Sequence, residues 1–302
     1  MPMQYEIGEA NHLGNRNNNQ DRFTAVETDE GILLVLADGM GGHAGGEVAA
    51  QTLVDLARDR YLNATRPIPT PQAGQFLAEI IRETHELLLR LAVEHDLHDI
   101  PGTTAVMCLI QGNRMDWAHV GDSRLYLFRA SLPVFRTIDH SYVEQLYQQG
   151  VISRSEQDTH PRRNHITQCI GCLPQMPEVE LGKGKNLLKG DVIMLCSDGL
   201  WSALDDAQLG AMLSNDVLDD VVERMAMRAE QLSYPHSDNI SVLALRVLSV
   251  ERAPHPEHIS TPAPPRQEKR TPKPKHVDEE KLKSAIEQIE EALRTYGDEL
   301  KR

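Results

Sequence analysis

Short apolar runs alternate with helical patterns along the first 250 residues of the 302-residue chain. Six runs have the length of a β-strand: 31–38, 103–110, 114–122, 124–129, 191–198 and 239–247. A Gly-Asn pair joins the second run to the third, as in a hairpin. Helical periodicity fits 46–62, 75–96, 141–150 and 216–232. Because this order has no regular strand–helix alternation, it favours an antiparallel α+β layered domain over a doubly wound parallel sheet.

The pattern changes after residue 250, so we predict a first domain over 1–250 and two further segments. Residues 251–277 contain seven prolines and few apolar side chains, which predicts an extended, flexible linker. Residues 278–302 then show apolar side chains at spacings of 4, 3, 4, 3 and 4, which predicts an amphipathic, coiled-coil-like helix. These side chains are Leu282, Ile286, Ile289, Leu293, Tyr296 and Leu300. Such a helix can fold back, self-associate or dock another protein, and we favour an intermolecular role.

The charge of the chain narrows its possible partners. The net charge of −14 belongs entirely to residues 1–250, which hold 20 basic and 34 acidic side chains, whereas 251–302 hold 11 of each. An acidic domain is a poor general binder of nucleic acid or anionic membrane, but it can bind metal cations. The sequence shows no signal peptide and no apolar run of the ~18 residues that span a bilayer, so we expect a cytoplasmic protein.

Four cysteines offer two possible kinds of chemistry. Cys169 and Cys172 form a C-x-x-C pair, but no second pair stands at zinc-ligand spacing. We therefore interpret them as reduced structural thiols. Cys108 and Arg114 have the spacing of a phosphatase cysteine nucleophile, yet Cys108 lies inside an apolar run. A reactive thiolate needs an open, electropositive loop, so we predict that Cys108 belongs to the core.

A glycine-rich loop follows the first apolar run, in the sequence ADGMGGHAGGE of residues 37–47. A P-loop is excluded because no G-K-[ST] follows. Gly39, Gly41 and Ala44 do fit a dinucleotide-binding fingerprint. However, Asp38 would repel a pyrophosphate, and the hairpin order of the domain disfavours that fold.

Three more aspartates resemble Asp38 in their surroundings. Asp122 and Asp198 also end apolar runs, and Asp238 stands just before one. If these strand ends share one edge of a sandwich, the four carboxylates repel one another unless cations neutralise them. Ligands that are all oxygen suit Mg²⁺ or Mn²⁺ rather than zinc. Each aspartate alone is more often a plain turn residue, but together they predict a divalent-cation site.

Seven segments occur in the order typical of one family. They are 14–21, 37–47, 102–106, 119–126, 160–171, 195–201 and 237–242. In this order the chain resembles metal-dependent protein serine/threonine phosphatases of the protein phosphatase 2C type, most of all the bacterial branch. The resemblance implies a four-layer α-β-β-α sandwich of two antiparallel sheets flanked by helices. It also implies hydrolysis of phosphoserine and phosphothreonine on proteins, against the action of a serine/threonine kinase.

The same resemblance implies a set of metal ligands. Asp38 matches the aspartate that bridges two catalytic Mn²⁺ or Mg²⁺ ions, and the carbonyl of Gly39 matches a second ligand. Asp198 and Asp238 match the other carboxylates on one of those ions. Asp122 matches a ligand of a third, weaker ion found in bacterial members, to which Asp198 also contributes.

The resemblance also implies two residues that act on substrate and water, and it has two departures. Arg16 matches the arginine that grips the substrate phosphate, and Asp21 matches an acidic residue that orients metal-bound water. Met40 replaces a histidine that is a proposed general acid in some relatives, and Gln20 replaces a glutamate that contacts the second ion. The general acid is therefore unassigned, with candidates His43, His119, His140 and His160.

A different class of function stays open at the level of sequence. The domain could bind phosphoproteins in a metal-dependent way as a scaffold, without turnover. The intact set of Arg16 and the aspartates disfavours this alternative. Residues 153–168 correspond to the flap beside the metal site in the family. Their arginines could meet phosphorylated protein segments in an otherwise acidic domain.

Overall fold

The structure is a computed structural model that describes residues 3–40, 45–95, 100–172, 174–213 and 216–250. These described residues form twelve strands and seven helices. The strands are β1 (Gln4–His12), β2 (Asp21–Thr28), β3 (Gly31–Met40), β4 (Gly102–Thr103), β5 (Ala105–Gln111), β6 (Arg114–Val120), β7 (Arg124–Arg129), β8 (Leu132–Arg136), β9 (Glu180–Leu181), β10 (Lys185–Asn186), β11 (Val192–Cys196) and β12 (Ile240–Ser249). The helices are α1 (Gly45–Asn63), α2 (Thr70–Glu94), α3 (Tyr142–Gln148), α4 (Arg154–Gln157), α5 (Asp198–Trp201), α6 (Asp206–Met212) and α7 (Leu218–Ser233).

The strands form two antiparallel sheets. The first has the order β1-β12-β11-β7-β8, and the second has the order β10-β6-β5-β3-β2, with β4 paired to β3 and β9 paired to β6. The predicted hairpin is present between β5 and β6, where Gln111 pairs with Arg114. Its turn residue Gly112 has a positive φ of 58°, a conformation that glycine adopts without steric cost.

Three apolar clusters fill the spaces between the four layers. One cluster lies between the two sheets, with Leu34 on β3 and Leu195 on β11 among its fully buried members. A second joins the outer face of the seven-stranded sheet to α1 and α2. The third joins the outer face of the five-stranded sheet to α5, α6 and α7. The predicted four-layer α-β-β-α sandwich is therefore confirmed.

The four predicted helices correspond to α1, α2, α3 and α7, and the six predicted strand runs contain β3, β5, β6, β7, β11 and β12. β1 and β2 are absent from the predicted strands because their sequences mix apolar and polar side chains irregularly and contain no long apolar run. The proline-rich segment 251–277 and the helix predicted over 278–302 lie outside the described residues. Among the described helices, none is long and apolar enough to cross a membrane.

Candidate metal centre at the sheet edge

Two of the predicted aspartates face each other on neighbouring strands. Asp21 begins β2 and Asp38 lies near the end of β3, and the two are direct partners in the antiparallel register. Asp21 is buried, and its Oδ2 accepts a hydrogen bond of 2.6 Å from Ser197 Oγ, just after β11 in the other sheet. The amide of Ser241 on β12 donates to the same hydroxyl at 2.9 Å. Ser197 thus ties the two sheets together beneath the carboxylates.

The other three aspartates lie just before or just after strands of the five-stranded sheet. Asp198 begins α5 two residues after β11 ends, and Asp238 stands two residues before β12. β11 and β12 are antiparallel neighbours, so the end of one and the start of the other share an edge. Asp122 lies in the turn between β6 and β7, and β7 pairs with β11 so that Arg124 is opposite Cys196. The topology therefore brings all the predicted carboxylates to one edge of the sandwich.

The main chain around Asp38 is fixed by Thr103, the last residue of β4, and by Thr104, which follows it. The Asp38 carbonyl accepts hydrogen bonds from the Thr104 amide at 2.9 Å and from Thr103 Oγ1 at 3.0 Å. The Asp38 amide donates to Thr104 Oγ1 at 2.9 Å. A Cβ on Gly39 would lie 2.1 Å from the carbonyl oxygen of Gly46, so only glycine allows helix α1 to start this close to the site.

Burial and mutual repulsion raise the pKa values of four of these carboxyl groups. Loss of hydration is the largest cause in each case; it raises the pKa of Asp21 to about 6 and that of Asp122 to about 7. For Asp38 the pKa lies well above its usual range, because of burial first and then the charges of the other four aspartates. The pKa of Asp198 is also raised well above its usual range, by burial first and then by the charges of Asp122, Asp238 and Asp21. A cluster of carboxylates that disfavours its own ionisation is suited to cations, which neutralise it.

The donor set fits a hard divalent cation. All five side chains offer carboxylate oxygens, the ligands that Mg²⁺ and Mn²⁺ prefer. Asp122 adds a specific observation, because its Oδ1 is buried and has no hydrogen-bond partner among the described residues. A buried acceptor without a partner costs about 1–3 kcal/mol, so such an atom calls for a ligand of its own.

Arg16 lies in the loop between β1 and β2, at the same edge. Its Nη2 donates to Asp238 Oδ2 at 2.6 Å, and its side chain is 55% exposed. The structure thus brings the predicted phosphate-binding arginine to the carboxylates. An exposed guanidinium whose one ion pair within the described part of the chain is with Asp238 can turn toward an incoming anion.

A second polar cluster lies beside the Asp122 turn and was not predicted. It consists of His119 on β6, His140 before α3 and Glu180 on β9. Among the described residues this is the one group of three possible ligand atoms that all lie within 4.8 Å of one another. The aspartates do not converge on one point in this way, as expected for carboxylates shared between separate ions.

Hydrogen bonding argues against a cation between these histidines. The Gly121 amide donates to His140 Nδ1 at 3.2 Å, which leaves the ring proton on Nε2, the atom that faces Glu180 at 3.7 Å. His119 Nε2 is 2.9 Å from the carbonyl of Ile138 and must donate to it. Both nitrogens near Glu180 therefore carry protons. We interpret the cluster as a support for Gly121, the residue before Asp122.

Two sequence interpretations of cysteine have different outcomes. Cys108 lies fully buried on β5, and burial raises the pKa of its thiol, so its assignment to the core is confirmed. Cys169 and Cys172 are joined by a disulfide, so their interpretation as reduced thiols is wrong. The C-x-x-C spacing is compatible with both the dithiol and the disulfide. The fold brings the two Cα atoms to 5.8 Å, a separation that a disulfide spans.

Comparisons with known proteins identify the family to which this fold belongs. The family model of protein phosphatase 2C matches residues 9–239. The serine/threonine phosphatase stp of Listeria innocua is 32% identical over 231 residues, which cover 76% of this chain and 90% of that protein. The solved structure of the S. agalactiae serine/threonine phosphatase has a TM-score of 0.75 at 30% identity, covering 81% of this chain and 100% of that one. The catalytic domain of the serine threonine protein phosphatase PstP, solved with 2 manganese ions, has a TM-score of 0.64 at 26% identity and covers 82% and 99%.

A four-layer sandwich with carboxylates gathered at one edge defines a metal-dependent class of phosphatase. The chain belongs to the protein phosphatase 2C family, and its similarities place it with the bacterial members. It is therefore a protein serine/threonine phosphatase, and the scaffold without turnover is not favoured.

Proposed function

We propose that the aspartates at the sheet edge bind two catalytic Mn²⁺ or Mg²⁺ ions and a third, weaker ion. Asp38 and the carbonyl of Gly39 would serve the catalytic pair together with Asp198 and Asp238, and Asp122 would serve the third ion with Asp198. The observation that carries the proposal is the buried Oδ1 of Asp122, which has no partner among the described residues. The PstP catalytic domain solved with 2 manganese ions supports it by analogy.

When bound, such ions supply an activated water at neutral pH and offset the negative charge of the phosphate ester. The protein residues then bind and orient. Arg16 would leave Asp238 and donate two parallel hydrogen bonds to phosphate oxygens. Asp21, held by Ser197 Oγ at 2.6 Å, would orient the water through its carboxylate. No protein nucleophile is required, and the buried thiol of Cys108 is out of reach of substrate.

The decisive experiment is turnover of a phosphoserine peptide with Mn²⁺, with Mg²⁺ and in excess EDTA. We expect activity with at least one ion and none with the chelator. Asp38→Asn should remove most turnover, since it takes one charge from the cation site. Asp55→Asn on the exposed face of α1 is the matched control and should keep it. Full activity in EDTA would show that the proposed chemistry is wrong.

The partners and location follow as further parts of the proposal. The substrates are phosphorylated proteins, and a serine/threonine kinase that phosphorylates them is the expected counterpart. We propose that 1–250 form the catalytic domain, 251–277 a linker, and 278–302 a helix that self-associates or docks a partner. A cytoplasmic location remains our proposal from the sequence, and a fractionation experiment tests it.

A further inference from the structure

The disulfide between Cys169 and Cys172 is not used by the reaction described above. It closes the turn at the end of the flap, around Ile170 and Gly171. Both cysteines are partly exposed, so small reagents can reach them. The other two cysteines, Cys108 and Cys196, are buried in the sandwich and carry free thiols. Of the four cysteines, Cys169 and Cys172 are therefore accessible to small reagents, whereas Cys108 and Cys196 are not.

Backbone hydrogen bonds connect this turn to the metal centre. Ile170 and Thr103 exchange two of them, from the Ile170 amide to the Thr103 carbonyl at 2.9 Å and from the Thr103 amide to the Ile170 carbonyl at 3.0 Å. Thr103 belongs to β4 and is the register partner of Gly39. Its hydroxyl also donates to the Asp38 carbonyl. Two successive backbone pairings, Ile170 with Thr103 and Thr103 with Gly39, thus connect the disulfide turn to the proposed ligands.

Side-chain packing forms a second connection. Cys172 Sγ lies 3.6 Å from Met40 Sδ, one residue beyond Gly39. A Cβ on Gly102 would lie 2.4 Å from the same sulfur, and one on Gly171 would lie 2.1 Å from the Pro101 carbonyl oxygen. Gly171 also has a φ of 82°, in the left-handed region. The turn therefore fits closely against β4 in its disulfide-closed form.

We propose that Cys169 and Cys172 are a reversible thiol–disulfide site whose state sets the affinity of the neighbouring metal centre, an inference that rests on the cation site proposed above. The reaction partner is a low-molecular-weight disulfide of the glutathione class. One cysteine thiolate attacks that disulfide and releases one small thiol. The second cysteine thiolate then attacks the mixed disulfide, releases the other small thiol and forms the Cys169–Cys172 bond. Two electrons and two protons pass from the cysteines to the small disulfide, and excess small thiol reverses the reaction.

The closed form should bind the cation more tightly. The disulfide restricts the 169–172 turn, and the turn holds β4 against Gly39 and Met40. In the dithiol form the turn gains conformational freedom, so β4 holds Gly39 less firmly. We expect the dissociation constant for Mn²⁺ to rise about fivefold on reduction, the effect of about one hydrogen bond. Turnover at saturating Mn²⁺ should change much less, because every proposed ligand is still present.

The proposal is tested first by counting thiols in the full-length protein. In a series of reduced-to-oxidised glutathione ratios, mass spectrometry after alkylation should show a two-thiol transition confined to Cys169 and Cys172. Cys108 and Cys196 should stay unalkylated until denaturant is added. If all four thiols stay free at every ratio, or the disulfide resists every ratio, the site is not reversible and the proposal is overturned.

The second measurement is calorimetric titration of Mn²⁺ into each form, which does not depend on turnover. The Cys169→Ser, Cys172→Ser double variant should show the affinity of the reduced form and no response to glutathione. Wild-type protein held in thiol reductant gives the same comparison if that variant does not fold. Cys108→Ala is the matched control and should keep the redox response. Equal affinity in both forms would refute the coupling, whereas no Mn²⁺ binding in either form would refute the metal centre itself.

Discussion

Arg16 connects the substrate and the metal centre at the scale of single residues. It contacts Asp238 at 2.6 Å and is more than half exposed. If it exchanges this contact for phosphate, Arg16→Ala should lower kcat/KM on a phosphopeptide by about 1.5–3 kcal/mol, the scale of a charge-assisted hydrogen bond. Steady-state kinetics measures this, with Arg58→Ala on the exposed face of α1 as the control. Kinetics equal to wild type would show that Arg16 does not bind the phosphate.

Individual residues differ in how far the sequence reveals them. Four of the aspartates could be predicted because each stands among small residues at one end of an apolar run, whereas Asp21 follows from the family resemblance. Ser197 could not, since its partner Asp21 is 176 positions away and a serine after a strand is ordinary in a turn. His140 was considered only as a candidate acid. Its contacts with the Gly121 amide and carbonyl depend on the fold and leave no pattern in the sequence.

The turn between β6 and β7 is the element that presents Asp122. Gly121 has a φ of 105°, and His140 binds both of its backbone groups: the His140 amide donates to the carbonyl at 2.9 Å, and Nδ1 accepts from the amide at 3.2 Å. Removing the imidazole leaves the Gly121 amide without its hydrogen-bond acceptor. His140→Ala should therefore weaken the weakest Mn²⁺ site about fivefold, the effect of about one hydrogen bond.

Calorimetric Mn²⁺ titration checks this prediction, and the conservative variant supplies its control. In His140→Asn the amide oxygen can accept from Gly121, so binding should recover at least in part. Equal losses in the alanine and asparagine variants would mean that His140 acts through bulk packing rather than through this hydrogen bond.

Elements with a repeating pattern were predictable, and short elements were not. Helix α2 repeats its buried positions over 25 residues, and the predicted helix differs from it mainly at its start. β9 and β10 contain two residues each, too few to show a period of two. They form because β6 offers them free backbone groups along its edge, which is a property of the sheet.

The proposed cation site should affect the stability of the whole molecule. In the cation-free protein the pKa values of Asp21 and Asp122 are about 6 and about 7, above the value of 3.8 for an exposed carboxyl. The folded state therefore binds more protons than the unfolded state in this window. Its free energy of unfolding should fall as pH rises from about 5 to about 8, by about 2–4 kcal/mol.

Urea unfolding across this pH range, in EDTA and in Mn²⁺, measures the effect. Bound Mn²⁺ favours the ionised carboxylates, so it should raise stability most at the high end of the range and flatten the decline. Asp122→Asn should remove part of the pH dependence in EDTA. A cation-free protein whose stability is constant between these pH values would contradict the raised pKa values.

The last prediction concerns the division of the chain. Every proposed catalytic position lies between Arg16 and Asp238, so a protein ending at Val250 should keep turnover on a small phosphomonoester, at a rate within about twofold of full length. The 3.5-residue apolar period over 278–302 predicts that the longer form self-associates or docks a partner, because a lone helix of about 25 residues is marginal in water.

Light scattering and kinetics on both forms separate these effects. A folded 1–250 protein without turnover would place 251–302 within the catalytic unit. If each form has the mass of its own monomer, self-association is excluded and docking to another protein is left.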